Sequence, residues 1–119
     1  MAYDDNNVFA KILRGDIPAK KVYEDDYALA FHDIGAKAPV HVLVIPKGKY
    51  VSIAEFGEKA SDAEISGFYR AVSKVANDLD LVKEGFRSIA NTGVNGGQEV
   101  PHFHVHLLGG KKIGPMVQE

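Results

Sequence analysis

Three of the five histidines in this 119-residue chain fall within five positions, in the run His102-Phe103-His104-Val105-His106-Leu107-Leu108. Side chains alternate faces along a β-strand, so the three imidazoles are predicted to share one face while Phe103, Val105 and Leu107 turn to a core. At a rise of about 3.3 Å per residue, neighbouring rings on that face stand about 6.6 Å apart, near enough to converge on one small anion or one metal ion. They are too close for all three to be charged near neutral pH, because like charges depress one another's pKa. At least one ring is therefore expected to stay neutral, and a neutral imidazole is a base or a nucleophile. A single histidine on a strand is usually a packing or surface residue, but no packing argument favours three ionisable rings on one face. The competing chemistry is metal ligation, since His-x-His pairs supply zinc sites, and Asp33 or Glu99 would then complete the donor set. The expectation is a site that works without metal or other cofactor.

The elements that must hold these rings can be read from periodicity and punctuation. Apolar residues at helical spacing from Val8 to Leu13, with Asn6 or Asn7 as N-cap and Gly15 as terminator, predict a short helix. Strands are expected around Val22-Tyr23 and over Tyr27 to His32, turning at Asp25-Asp26, and over His41 to Ile45. Gly35 to Pro39 reads as a loop. Ser61-x-x-Glu64 forms a capping box that opens a long helix with an apolar stripe at Ile65, Phe68, Tyr69, Val72, Val75, Ala76 and Leu79. Gly85 to Ala90 predicts a strand, residues 91–97 a glycine-rich loop, and His102 to Leu108 the last strand. The pattern predicts an α+β fold with about five mostly antiparallel strands, one short N-terminal helix and one long helix. A single domain over residues 1–119 is expected, with its core between Val8 and Gly110.

Composition narrows the function. Charged residues make up 25% and hydrophobic residues 45% of the chain, and the formal net charge is −2, so binding to nucleic acid or membrane by bulk charge is not expected. No apolar run reaches the length of about 18 residues that a bilayer span needs. The opening residues 1–7 carry no basic or apolar leader pattern, which predicts a cytoplasmic location. Cysteine is absent, which excludes disulfides, thiolate metal sites and cysteine nucleophiles.

The histidine run matches the motif of alternating histidine and apolar residues after which the histidine triad superfamily is named. Ile17-Pro18-Ala19-Lys20, Tyr27 to Ile34, Ala38 to Lys47 and Gly96-Gly97-Gln98 are, in the same order, similar to its nucleotide-binding branch. The resemblance covers nearly everything from Val8 to Gly110. Proteins of this kind are small homodimeric nucleotidyl hydrolases and transferases, and the nearest branch hydrolyses purine nucleoside phosphoramidates.

The resemblance implies that His104 attacks the α-phosphorus to form a covalent nucleotidyl-imidazole that water cleaves. It implies that His104 Nδ1 donates its proton to the backbone carbonyl of His102, freeing the Nε2 lone pair. His106 would stabilise charge on the nonbridging oxygens, and His102 would be a scaffold residue. His41 corresponds to a fourth histidine that either orients the nucleophile or takes part in proton transfer. Asp33 matches a carboxylate that accepts from the ribose hydroxyls, against a plain turn-capping role. Val8, Phe9, Ile12, Ile17, Phe31 and Ile34 would form an apolar slot for the base, with His32 close to the nucleoside. Asn91 and the stretch Gly97-Gln98-Glu99 match the loop on the phosphate side.

Two departures stand out. Glu99 occupies a position where some relatives carry a hydroxyl residue, and a carboxylate repels a phosphate unless its charge is taken up. The stretch from Lys111 to Glu119 lacks the tryptophan that some relatives send across the dimer interface. The expected substrate is an adenosine or guanosine 5′-monophosphate joined to an amine. The first alternative is dinucleoside polyphosphate hydrolysis, as in the fragile histidine triad branch, which generally has Gln where this chain has His106. The second is a nucleotide-sensing module that binds through the same pocket.

Overall fold

The computed structural model describes residues 2–117. Met1, Gln118 and Glu119, the last two ending the stretch that lacks tryptophan, lie outside the described residues. Helix α1 spans Val8–Arg14. It starts where the Asn7 side chain accepts the Ala10 N–H at 2.8 Å and stops at Gly15, whose φ of 84° suits a residue without Cβ. Strands β1 (Lys21–Glu24) and β2 (Ala28–His32) follow. Asp25 Oδ1 closes the turn between them by accepting from the N–H groups of Tyr27 and Ala28. β3 runs over Val40–Pro46.

Two helices come next, α2 (Ile53–Lys59) and α3 (Asp62–Asp78). The capping box of α3 forms as Ser61-x-x-Glu64 predicts, with both bonds at 3.1 Å. α2 was not anticipated, although Ser52-x-x-Glu55 carries the same signature. Ser52 Oγ accepts the Glu55 N–H at 3.4 Å, and Glu55 reaches back to the N–H of Val51 at 2.8 Å. β4 is confined to Arg87–Ile89, the loop after it winds one turn as α4 (Gly93–Gly96), and β5 covers Val105–Gly109. The Arg87 guanidinium holds the segment beyond β5 by donating to the carbonyls of Gly114 and Pro115.

The strands form one antiparallel sheet in the order β1-β2-β3-β5-β4. Alternation sorts its residues to two faces. Ala28, Ala30, Val42, Val44, Val105 and Leu107 turn to a core closed by Phe56, Phe68, Val75 and Phe103, which places α2 and α3 on that side. Leu29, Phe31, Leu43 and Ile45 turn to the other face, where Phe9 and Ile12 of α1 cover them. A helix of seven residues spans only about 10 Å, so it roofs one end of this face and leaves the rest open. His41 and His106 lie on the part left open. Among the described residues no helix is long and apolar enough to cross a membrane.

The last strand begins later than predicted. The N–H of His102 bonds to the Val100 carbonyl and that of Phe103 to the Tyr50 carbonyl at 2.7 Å, so these residues do not ladder with β3. His102 is 0% exposed, with Nε2 2.9 Å from the Pro46 carbonyl oxygen and Nδ1 2.6 Å from the Tyr3 hydroxyl. It is a buried bracket between the end of β3 and the N-terminal segment, and its ring does not join those of His104 and His106 on a shared anion site.

Two stability effects follow from this packing. Burial drives the His102 pKa from an ordinary 6.5 down to about 4, although its bond to Pro46 favours the charged form. The unfolded chain therefore binds more protons between those pH values, and stability falls as pH drops through that window, by up to about 3 kcal/mol for this residue. Denaturant unfolding at several pH values should show the wild type losing its advantage over His102→Gln as pH falls from 7 to 4.5; parallel curves would contradict this. A Cβ at Gly67 of α3 would overlap the ring of Tyr27, so Gly67→Ala is expected to cost about 1–3 kcal/mol. An unchanged unfolding midpoint would show that the helix can shift freely there.

Candidate active site

His41 and His106 meet because β3 and β5 pair. The register sets His41 opposite Leu108 and Leu43 opposite His106, which makes the two histidines diagonal neighbours on one face. Their ring centroids are 5.2 Å apart, and those of His104 and His106 are 5.0 Å apart. Phe9 packs edge-on against His104 with centroids at 4.9 Å. The rings that come together are thus His41, His104 and His106.

Backbone groups that can act in only one sense place the protons on these rings. The Lys37 N–H can only donate, and it meets His41 Nδ1 at 3.0 Å. A neutral His41 must then carry its proton on Nε2, which lies 2.9 Å from His106 Nδ1 and 3.3 Å from Asp33 Oδ2. His106 accepts at Nδ1 and keeps its own proton on Nε2. The His102 carbonyl can only accept, and His104 Nδ1 lies 2.7 Å from it. His104 therefore holds its proton on Nδ1 and presents a bare Nε2. The resulting site has one ring with a free lone pair beside one ring with a free N–H.

Electrostatics favour the neutral forms of His104 and His106. Burial, and then the neighbouring rings of His104 and His41, push the His106 pKa down to about 4 against the pull of Asp33. Burial also lowers the pKa of His104, opposed by its bond to the His102 carbonyl and by the negative charges of Asp33 and Glu99. Asp33 takes the turn-capping role weighed for it and also turns an oxygen to the histidine cluster. Its Oδ1 accepts the Gly35 N–H at 2.7 Å, and its Oδ2 faces His41.

Asp33, His41 and His106 also offer ligand atoms within 4.8 Å of one another, a spacing a tetrahedral cation can use. The hydrogen bonding does not fit a resident ion. A metal on His41 Nε2 would require a proton on Nδ1, and that proton would point at the Lys37 N–H. The arrangement shares a proton where a metal would sit.

An open cavity of about 1470 Å³ lies over these rings. Phe9, Ile12, Ile17 and Phe31 form an apolar wall, while His32, Asp33, Asn91, Gly97 and Glu99 lie along more polar parts of the lining. Val8, 39% exposed, and Ile34, at 105%, also line the cavity, on its solvent side. His32 is exposed and makes no side-chain hydrogen bond among the described residues. Gln98 does not line the cavity. Its amide instead braces the loop, donating to the carbonyls of Val51 and Val100 and accepting the Gly93 N–H. Sequence reasoning missed the floor residues Leu43, Ile89 and Leu108. Leu43 was signalled by its spacing of two from His41, and Leu108 by the same spacing from His106; Ile89 depends on strand pairing.

Comparison with known proteins identifies the family and the fold. Residues 14–113 match the HIT domain family. A HIT-like protein of Azospirillum brasilense is 53% identical over 115 residues, covering 97% of this chain and 94% of that protein. The purine nucleoside phosphoramidase of Escherichia coli K12 is 38% identical over 113 residues, covering 95% and 94%. A solved HIT family hydrolase from Clostridium thermocellum superposes with a TM-score of 0.86 at 41% identity, over 97% of this chain and 99% of that one. With its histidine run, five-stranded sheet and this breadth of likeness, the chain belongs to the HIT domain family.

Proposed function

We propose that this protein hydrolyses purine nucleoside 5′-phosphoramidates, adenosine or guanosine monophosphates joined to an amine, through a covalent nucleotidyl-His104 intermediate. The observation that carries this reading is the proton placement at His104, with Nδ1 donating to the His102 carbonyl at 2.7 Å and Nε2 left bare. The similarity to a phosphoramidase of Escherichia coli and to a hydrolase of Clostridium thermocellum supports the reaction class.

The purine lies against Phe9, Ile12, Ile17 and Phe31, and the ribose hydroxyls donate to the Asp33 carboxylate. Asn91 and the backbone around Gly97 flank the phosphate. His104 Nε2 attacks the α-phosphorus while the His106 Nε2–H stabilises charge on a nonbridging oxygen. The P–N bond breaks and the amine leaves with a proton drawn from water in the open cleft. A second water attacks phosphorus, the P–Nε2 bond returns its electron pair to the ring, and the released proton passes to solvent. His41, bonded to both Lys37 and His106, holds His106 in the tautomer that donates. Neither metal nor cofactor takes part. The protein acts as a homodimer in the cytoplasm.

His104→Ala is expected to lower kcat by about 10⁴-fold or more while nucleotide binding largely persists. Rapid acid quench and mass spectrometry of the wild type should find a nucleotidyl adduct on His104, and phosphorus configuration should be retained. Inversion, or turnover by the variant, would remove His104 from the role of nucleophile. Because burial lowers the His104 pKa, the neutral ring persists on acidification. The acid limb of kcat/KM should therefore fall with a midpoint below 6.5; a midpoint above that value would contradict a buried neutral nucleophile.

A further inference from the structure

We propose that Tyr3, on the segment ahead of α1, is a positioning residue for His104, its hydroxyl locking the His102 ring whose own backbone carbonyl holds the His104 proton. This inference rests on the reading of His104 as nucleophile. The Pro46 carbonyl can only accept, so the His102 Nε2 beside it, at 2.9 Å, carries the proton. His102 Nδ1 is then the acceptor, and the Tyr3 hydroxyl donates to it at 2.6 Å. Both ring nitrogens are thus committed in a side chain that is 0% exposed. The ring cannot turn without breaking both bonds, and the His102 N–H is tied to the Val100 carbonyl at 2.9 Å. With side chain and N–H both fixed, the remaining polar group of the residue, its carbonyl, is aimed at His104 Nδ1 at 2.7 Å.

The segment that presents Tyr3 is itself anchored. The Asn7 amide donates to the Asp4 carbonyl at 2.7 Å, the Asn6 N–H bonds to Asp4 Oδ1, and Arg14 donates to the Asp5 carbonyl. Lys49 adds an ion pair with Asp5 at 2.8 Å. Tyr3 packs edge-on against His102 at 5.6 Å, and Phe9 packs edge-on against both His102 and His104. A row of rings thus runs from Tyr3 through His102 and Phe9 to His104. Burial raises the Tyr3 pKa, so the phenol remains a donor at any pH where the enzyme works. Tyr3 does not line the cavity, and its hydroxyl connects to His104 through His102.

Tyr3→Phe removes one oxygen and keeps the ring. The rate of nucleotidyl-His104 formation and kcat on an adenosine phosphoramidate are expected to fall about tenfold, short of the hundredfold that a misplacement of about 1 Å can cost. KM should stay within about twofold, because no substrate contact is lost. Nitrogen-15 spectra of the histidine rings should show faster exchange of the His104 Nδ1–H and a population protonated at Nε2. In Tyr3→Ala, added phenol should restore the rate and toluene should not. Unchanged His104 signals and wild-type adduct formation in Tyr3→Phe, or equal effects of phenol and toluene, would overturn the role of Tyr3. A wild type that forms no adduct on His104 would instead overturn the nucleophile reading, whatever the ring spectra show.

Discussion

The hydrogen bond from His104 Nδ1 to the His102 carbonyl is the constraint around which the site is arranged, because it decides which nitrogen of the ring keeps a lone pair. An imidazole free in solution divides its proton between two positions. Here a 2.7 Å contact with a group that can only accept removes that freedom. The same device appears in mirror sense at His41, where a backbone N–H that can only donate holds Nδ1 bare and sends the proton toward His106. Backbone groups cannot titrate, so both assignments hold at every pH at which the rings are neutral.

Neutrality is the second half of the arrangement. The His106 ring lies about 5 Å from those of both His41 and His104 and would be repelled by them if charged, and desolvation lowers the pKa of each ring for which a shift is seen. Asp33 and Glu99 counter this with negative charge that reaches His104. The carboxylates raise the His104 pKa, but burial outweighs them and holds it below its ordinary value. Glu99, which would repel a phosphate if it pointed its charge there, thus contributes negative charge that reaches His104. The same burial makes the fold sensitive to acid, since His102 and His106 gain protons more readily in the unfolded chain.

The fold makes room for this chemistry by covering one sheet face completely and the other in part. Along β2 the run Ala28 to Phe31 is buried on both sides, so an apolar strand without alternation reports two packed faces. α2 and α3 close the first face through Phe56, Phe68 and Val75. α1 closes only the far end of the second, and its Phe9 serves at once as core, slot wall and support for His104. The cavity is the part of the sheet that a seven-residue helix cannot roof.

By itself the sequence determined that His104 and His106 stand together, the two capped helix starts, the turn at Asp25 and the absence of thiol chemistry. These are local matters, set by the period of two along a strand and by side chains that bond backbone a few residues away. Only the tertiary structure decided that His41, and not His102, is the third ring of the cluster. That choice depends on the register of β3 against β5 and on a Tyr50 carbonyl that draws Phe103 out of the ladder. It also depends on a tyrosine 99 positions away that claims the His102 ring. Partners so distant along the chain leave no periodic trace, because the bond that matters forms only after the strands have paired and the segment carrying Tyr3 has docked on His102.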